Sequence, residues 1–339
     1  MRGGWWTIGN LAFALIILVL LDWIVPEDTS HPEPVADWYA DLILIIHVII
    51  NTIAIGTLIY GIQHEILTGT FLWLAIFSTG INSGQSGIIV AHELIHRKSK
   101  FLRLLGIWNL HMVLYTHFRI EHVYGHHKWV ATFKDPATAK LNESIYHFIP
   151  RTIPKQFISA FRIEWERNKR KGKNPVGPQN YVINTIITQL LILVAIFYQF
   201  GSFALIGFVV QAFTAIVLLE LVNYIEHYGL LRREGDPFVV ELAWNTDILS
   251  SRWFLIELVR HSDHHLKSFK PYQTLISYRS DGVPTLPSGY WGVFYLVFIP
   301  SIWRKIIHPR IPKSMVDLFY ELTKLRTGFK PDPQIAGVG

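Results

Sequence analysis

The chain has 339 residues, of which 50% are hydrophobic, 14% aromatic and 17% charged, and its formal net charge is +6. This composition favours a membrane protein over a pair of soluble domains, and no nucleic-acid partner is expected. The absence of cysteine excludes disulfides, thiolate zinc sites and iron–sulfur clusters. Any electron carrier must therefore be a separate protein.

Five apolar stretches are long enough to cross a bilayer, which takes roughly 20 residues per helix. They cover residues 6–25, 42–62, 71–90, 182–200 and 203–223. A sixth stretch, 104–115, is too short to span and is expected to dip into the membrane or pack against the bundle. No signal-peptide cleavage site follows the first residues, so the first helix is expected to be retained.

These stretches predict an all-α, polytopic membrane helix bundle with five to six transmembrane helices. We expect residues 1–308 to form a single integral-membrane domain and residues 309–339 to form a C-terminal cytoplasmic tail. The last four residues, 336–339, are expected to be disordered.

The positions of lysine and arginine predict the orientation of the bundle. Basic residues follow the third stretch at 97–103 and precede the fourth at 162–173, so both segments are expected in the cytoplasm. The basic loop fits ordinary topology with anionic lipid contact, or a docking patch for an acidic electron carrier. The predicted location is a bacterial inner membrane, crossed several times, with the histidine-rich segments facing the cytoplasm.

Nine histidines occur in four groups, most of them just beyond the apolar stretches. They are His92 and His96; His122, His126 and His127; His227; and His261, His264 and His265. Three groups contain histidines three or four positions apart, which share one helix face, and two of these add a neighbour that can reach a second metal. The remaining histidines, at 31, 47, 64, 111, 117, 147 and 308, are not expected to bind metal.

Nine histidines are too many for one ion, because a catalytic zinc takes three protein ligands and a water. They suit two metals. Imidazole accepts zinc, copper, iron or nickel, but a nitrogen-rich two-metal site beside a membrane suits oxygen activation on apolar substrates, for which iron is the usual metal. The carboxylate-bridged site of ferritin-like bundles needs two Glu-x-x-His pairs, and that spacing occurs here once, at Glu93 and His96.

Four carboxylates adjoin the histidines, namely Glu93, Glu121, Glu226 and Asp263. Metal-bound imidazoles usually donate their second N–H to such a group. We therefore predict that these side chains orient the ligands, although some can instead pair with Arg97, Arg119 or Arg260.

The chain resembles the integral-membrane alkane hydroxylases, or alkane 1-monooxygenases, within the larger group of membrane fatty acid desaturases and hydroxylases. The similar segments are His-Glu-Leu-Ile-His-Arg at 92–97, Glu-His-Val-Tyr-Gly-His-His at 121–127, Asn-Tyr-Ile-Glu-His-Tyr-Gly-Leu at 223–230 and Arg-His-Ser-Asp-His-His at 260–265. Further similarity lies at 135–138, 143–146 and 284–290. The third segment is the most specific, and it makes His227 the ninth expected ligand.

This resemblance implies a non-haem di-iron monooxygenase that hydroxylates the terminal methyl group of medium- or long-chain alkanes with O₂. Its electrons are expected from a separate rubredoxin and rubredoxin reductase. The family usually has six spans, so its first span is expected to be absent here. The chain also lacks a histidine pair that many relatives carry before Trp244.

Three other functions remain open from the residues. An aromatic methyl hydroxylase of the xylene or cymene type would share the 223–230 signature. A fatty acid desaturase or hydroxylase would share the histidine groups, and a membrane zinc hydrolase would need only His92, Glu93 and His96. A linear hydrocarbon offers no polar handle, so selectivity is expected to depend on cavity length, and small residues such as Ala12 and Ala14 would leave room for longer chains.

Overall fold

The computed structural model describes residues 4–327, and every regular element in that range is helical. The all-α prediction is therefore confirmed. Three helices in this range are long and apolar enough to cross a membrane, Gly4–Ile24, Asp37–Gln63 and Tyr181–His227. The predicted number of five to six spans stays a prediction.

The first half of the fold is built from three long helical stretches. Helix α1 covers Gly4–Ile24, with a π-helical turn at Phe13–Ile17, and α2 covers Asp37–Gln63. Helix α3 (Gly69–Asn82) continues through a π-helical stretch, Ser83–Ile89, into α4 (Val90–His96). The third predicted span is thus helical throughout, and it carries the first histidine group at its end.

The short sixth stretch forms helix α5 (Lys100–Met112), which packs closely on α4. Its buried Asn109 donates hydrogen bonds to the carbonyls of Ser86 (3.1 Å) and Gly87 (3.2 Å) in the π-helical stretch. Backbone groups of irregular helix inside a bundle need such partners, because lipid supplies none. The interpretation that this stretch packs against the bundle agrees with these contacts.

Helix α9 (Tyr181–His227) contains the fourth and fifth predicted stretches. It is interrupted at Gly201, whose φ of 81° and ψ of 177° are not helical. Only glycine adopts this conformation readily, so the two predicted stretches meet at this residue. The second histidine group lies before α9, on α6 (Phe118–Ile120), a π-helical stretch at Glu121–His126 and α7 (His127–Trp129).

A chain of buried polar side chains joins the apolar helices. Asn51 Oδ1 of α2 accepts from the Ser83 hydroxyl (3.2 Å), and Ser83 Oγ also lies 2.8 Å from the side-chain oxygen Oε1 of Gln211 on α9. Gln211 in turn donates to the backbone carbonyl of Met112 (2.9 Å). Interhelical hydrogen bonds of this kind fix the register of membrane helices, since hydrocarbon offers no competing partner.

The remaining helices cover and support the histidine end of the bundle. They are α8 (Ile145–Arg170), α10 (Leu249–Phe254), α11 (His261–Leu266), α12 (Tyr290–Val293), α13 (Pro300–Ile307) and α14 (Lys313–Thr327). Met315, Val316 and Phe319 of α14 pack against the largest apolar core. The division at residue 308 stays a prediction, and the disorder expected at 336–339 lies outside the described residues.

Helices α3 and α9 approach each other closely at Gly80. A Cβ at this position would lie 2.5 Å from Thr214 Cβ and 2.9 Å from the Gln211 carbonyl oxygen. We expect Gly80→Ala to lower the free energy of unfolding by about 1–3 kcal/mol, the usual cost of overpacking. Thermal unfolding of the protein in detergent measures this effect. Gly56→Ala is the control, because a Cβ there meets nothing within 4 Å; equal melting temperatures for both variants would contradict the prediction.

Candidate metal centre

All nine histidines of the four groups converge at one end of the bundle. Cluster A contains His92, His96, His122, His127 and His264, and cluster B contains His126, His227, His261 and His265. Within each cluster, the possible ligand nitrogens all lie within 4.8 Å of one another. The two clusters can therefore each hold a metal ion, while the role of the individual histidines as ligands stays a prediction.

The second histidine group divides between the clusters because its backbone is π-helical. His122 Nε2 lies 3.0 Å from His127 Nε2, five positions later, and both belong to cluster A. His126, four positions after His122, belongs to cluster B. The expected pairing of histidines three or four positions apart assumes an α-helix, whereas a wider π-helical turn brings residues five apart onto one face.

The fourth group divides between the clusters as an α-helix predicts. His261 and His265, four positions apart on α11, face cluster B with their Nε2 atoms 2.9 Å from each other. His264 faces cluster A instead, 3.2 Å from His127 Nε2. His227, the last residue of α9, completes cluster B at 3.2 Å from His261 Nε2.

The spacing of the nitrogens fits a metal ion. Neighbouring Nε2 atoms lie 3.0 to 3.2 Å apart in cluster A and 2.9 to 3.2 Å apart in cluster B. With metal–nitrogen distances of about 2.0–2.1 Å, ligands at right angles lie about 2.9 Å apart, and tetrahedral ligands about 3.4 Å apart. In addition, His92 Nε2 is buried without a hydrogen-bond partner. The observed spacings lie between the right-angle and tetrahedral values, so the nitrogens of each cluster are close enough to share one cation.

Burial keeps these imidazoles neutral. Desolvation lowers the pKa of His122, His127, His261, His264 and His265 well below the usual value, and the neighbouring histidines lower it further. A neutral imidazole has a free lone pair, which metal binding requires. The imidazoles of both clusters therefore favour binding a metal cation over binding protons.

The four predicted carboxylates lie in different surroundings. Glu226 Oε1 is 3.2 Å from His261 Nδ1, at hydrogen-bond distance although off the ideal angle. Glu93 Oε1 instead accepts from the Tyr272 backbone N–H (3.1 Å) and pairs with Arg97 (3.2 Å). Asp263 pairs with Lys270 and holds the following loop. Burial and the nearby Asp135 and Glu220 raise the pKa of Glu121.

Asp135 was not among the predicted carboxylates, yet it contacts a cluster directly. His126 Nδ1 lies 3.0 Å from Asp135 Oδ2, which also accepts from the Thr138 hydroxyl (2.6 Å). The Ala137 backbone N–H donates to the other oxygen (3.0 Å). Asp135 opens the Asp-Pro-Ala-Thr segment, and the turn that fixes its carboxylate could have identified it. It lies nine positions after His126, however, and no helical spacing connects the two.

An apolar cavity ends at the two clusters. Its walls come from the π-helical stretch before α4, from α9, from the loop after α10 and from α12. Residues on the walls include Ile88, Leu218, Val222, Leu258, Trp291 and Phe294, and the inner end is formed by His92, His122, His126 and His261. The cavity therefore leads an apolar molecule to both clusters.

The clusters differ in their distance from solvent. His96 and His127 of cluster A are partly exposed, whereas all four members of cluster B are buried. Lys98, Lys128 and Lys267 are exposed and follow cluster histidines by one to three positions. Cluster A is thus the one reached from the protein surface, beneath a rim of positive charge.

We expect Asp135→Asn to lower the affinity for a divalent cation about tenfold, because an amide cannot replace the charged acceptor at His126 Nδ1. The metal content of purified protein, measured after dialysis against increasing chelator, tests this expectation. Asp317→Asn on the exposed face of α14 is the control. Retention of the metal by both variants at equal chelator concentrations would show that Asp135 has no such role.

Comparisons with known proteins agree with this site. The model of the fatty acid desaturase family matches residues 67–296. Alkane 1-monooxygenase 1 of Pseudomonas aeruginosa is 35% identical, with 92% of this chain and 86% of the relative covered, and alkane 1-monooxygenase 2 of Alcanivorax borkumensis is 32% identical, with 94% and 84% covered.

The hydroxylase component of the xylene/toluene monooxygenase of Pseudomonas putida is 29% identical, with 90% of this chain and 82% of that protein covered. The alkane 1-monooxygenases named above are thus more similar to the chain than this relative is. The resemblance inferred from the sequence is confirmed: the chain belongs to the alkane 1-monooxygenases of the fatty acid desaturase family.

Proposed function

We propose that this protein is a membrane monooxygenase that hydroxylates the terminal methyl group of medium- or long-chain alkanes. The observation that carries the proposal is the apolar cavity that ends on histidines of both clusters. Its lining is predominantly apolar, as in most small-molecule sites. Its walls bind a hydrocarbon by burial alone, so the end of the chain is the part that reaches the histidines.

The nine histidines hold two iron ions, one in each cluster. The number of histidines exceeds the three protein ligands of one catalytic zinc and supports two ions, and the family supports iron. When bound, the irons supply the O₂-dependent redox chemistry that hydroxylation of an unactivated methyl group requires. Asp135 and Glu226 hold the Nδ1 protons of His126 and His261, so that each Nε2 faces the metal.

The cavity walls have two further tasks in this proposal. They align the substrate so that its methyl group, rather than an internal methylene, approaches the clusters. Holding the reacting group in this orientation lowers the activation barrier. They also exclude water, which would compete for the metal centre. Trp291 and Phe294 from α12 and the following turn close the side opposite Leu218 and Val222 of α9.

Electrons come from a separate acidic carrier, rubredoxin, which a rubredoxin reductase reduces. The partly exposed His96 and His127 and the rim of Lys98, Lys128 and Lys267 support docking above cluster A. We further propose that residues 1–308 form one domain in a bacterial inner membrane and that the clusters face the cytoplasm. The basic residues beside α4 and at the end of α8 support this orientation.

Product analysis tests the proposal. Cells that express the chain with a rubredoxin and its reductase are given alkanes of several lengths and methylbenzenes, and products are separated by gas chromatography with mass spectrometry. Primary alcohols from alkanes are expected, together with about two irons per purified chain, one for each cluster. Benzylic alcohols alone would favour the aromatic methyl alternative, and a new double bond in membrane lipids without oxygen insertion would favour a desaturase.

Ala14 provides a test of substrate length. It is fully buried with Leu11 and Ile81, and this group packs on Leu218, which lines the cavity. We expect Ala14→Trp to push Leu218 into the cavity and to shorten the preferred alkane, with about 1–3 kcal/mol of discrimination per methylene.

The distribution of alcohol chain lengths from a mixture of alkanes measures the effect of Ala14→Trp. Ile16→Trp places the same side chain on the exposed face of α1 and serves as the control. If both variants give the wild-type distribution, α1 does not limit the cavity.

A further inference from the structure

Tyr290 connects the wall of the cavity to a carboxylate beside cluster B. Its ring lines the cavity, and its hydroxyl lies 3.3 Å from Glu226 Oε1. The same oxygen of Glu226 lies 3.2 Å from His261 Nδ1. One carboxylate oxygen thus faces both a phenol that touches the substrate space and an imidazole of cluster B.

The two groups beside this carboxylate, the Tyr290 hydroxyl and the His261 ring, each face a second hydrogen-bond acceptor. The Tyr290 hydroxyl is also 3.3 Å from the Trp244 backbone carbonyl, and the backbone carbonyl of Leu258 faces the His261 ring. A hydroxyl donates only one hydrogen. Donation from Tyr290 to Glu226 therefore fixes the carboxylate where it can accept from His261, whereas donation to Trp244 releases it.

The backbone of Tyr290 is held by the first membrane helix. The Tyr290 N–H donates to Ser251 Oγ (2.8 Å), and Ser251 donates to Asp22 Oδ2 of α1 (2.8 Å). The same oxygen accepts from the Gly292 N–H (3.0 Å). A Cβ at Gly289 would overlap the Asp22 carboxylate, so the segment before α12 lies directly against this buried acid.

We propose that Tyr290 is a positioning residue that couples occupancy of the cavity to the orientation of His261 through Glu226. This inference rests on the proposed function. A chain in the cavity presses on the Tyr290 ring, whose backbone cannot retreat because Asp22 and Ser251 hold it. The hydroxyl is then kept on Glu226, and His261 presents Nε2 to the metal in a fixed orientation. No bond is made or broken in this step.

The test compares Tyr290→Phe with Tyr295→Phe. Each variant loses one phenolic hydroxyl, and the Tyr295 hydroxyl bonds to the Leu15 carbonyl of α1 (2.8 Å) without touching Glu226. Iron content and the Mössbauer spectrum of the ⁵⁷Fe-loaded full chain are recorded with and without a medium-chain alkane. Wild-type protein that contains two irons and converts alkanes to primary alcohols secures the proposed function first, so a failure of the coupling is distinguishable from a failure of that function.

We expect Tyr290→Phe to keep both irons and to alter the signal of one iron site, with a weaker response to the alkane. The kcat should fall roughly three- to tenfold, as for loss of a group that orients a ligand, while KM changes little. In protein that already carries Glu226→Gln, adding Tyr290→Phe should cause a much smaller further change, because both act on one atom. Tyr295→Phe should match the wild type.

An unchanged spectrum in Tyr290→Phe, or an equal change in Tyr295→Phe, would overturn the inference. If Tyr290→Phe protein does not retain iron, Ser251→Ala is measured instead, since it removes the acceptor of the Tyr290 N–H and leaves the phenol intact. Ser251→Ala must then alter the signal of one iron site. A wild-type spectrum for Ser251→Ala would then count against the coupling.

Discussion

The close approach of neutral imidazole nitrogens is the constraint on which the rest of this structure depends. In cluster B, neighbouring Nε2 atoms lie 2.9 to 3.2 Å apart. Their lone pairs repel one another unless a cation or a shared hydrogen lies between them. Holding nine rings in this arrangement requires a scaffold that does not relax. The buried polar chain through Asn51, Ser83 and Gln211 supplies rigidity within the apolar helices, and the Asp135 turn supplies it at cluster B.

The cavity and the clusters place opposite requirements on neighbouring residues, because one must be apolar and the other needs polar partners. The cavity must remain free of groups that would hold water, yet the histidines at its end need carboxylates behind them. The chain meets both requirements because the two ring nitrogens of a histidine face opposite directions. The Nε2 atoms of cluster B face one another, while Nδ1 of His126 and His261 face Asp135 and Glu226. An acid that would be costly inside a membrane bundle is tolerated there because it has a partner on each side.

The sequence predicts much of this arrangement, and what it does not predict has two causes. Apolar length identifies the long helices, the repeated spacing identifies eight of the nine cluster histidines, and the family resemblance adds His227. The pairing of His122 with His127 could not be predicted, because spacing arguments assume α-helical geometry and nothing in Glu121–His126 marks a π-helix. Tyr290 was not predicted for a different reason, because its partner Glu226 is distant in sequence and only the folded chain brings the two together. Asp135 lies nine positions after His126, but no helical spacing relates the two, and turns in the chain bring the carboxylate to the ring.

The π-helical stretch at Glu121–His126 has a consequence for how this protein can vary. Consecutive residues His126 and His127 serve different clusters, so the length of the backbone between His122 and His127 sets which histidine reaches which cluster. Insertion or deletion of a single residue there would exchange their directions and leave each cluster with a misplaced ring. The exposed turn at Arg233–Asp236 carries no such requirement. A change of length is therefore tolerated in this turn but not in the π-helical stretch at Glu121–His126.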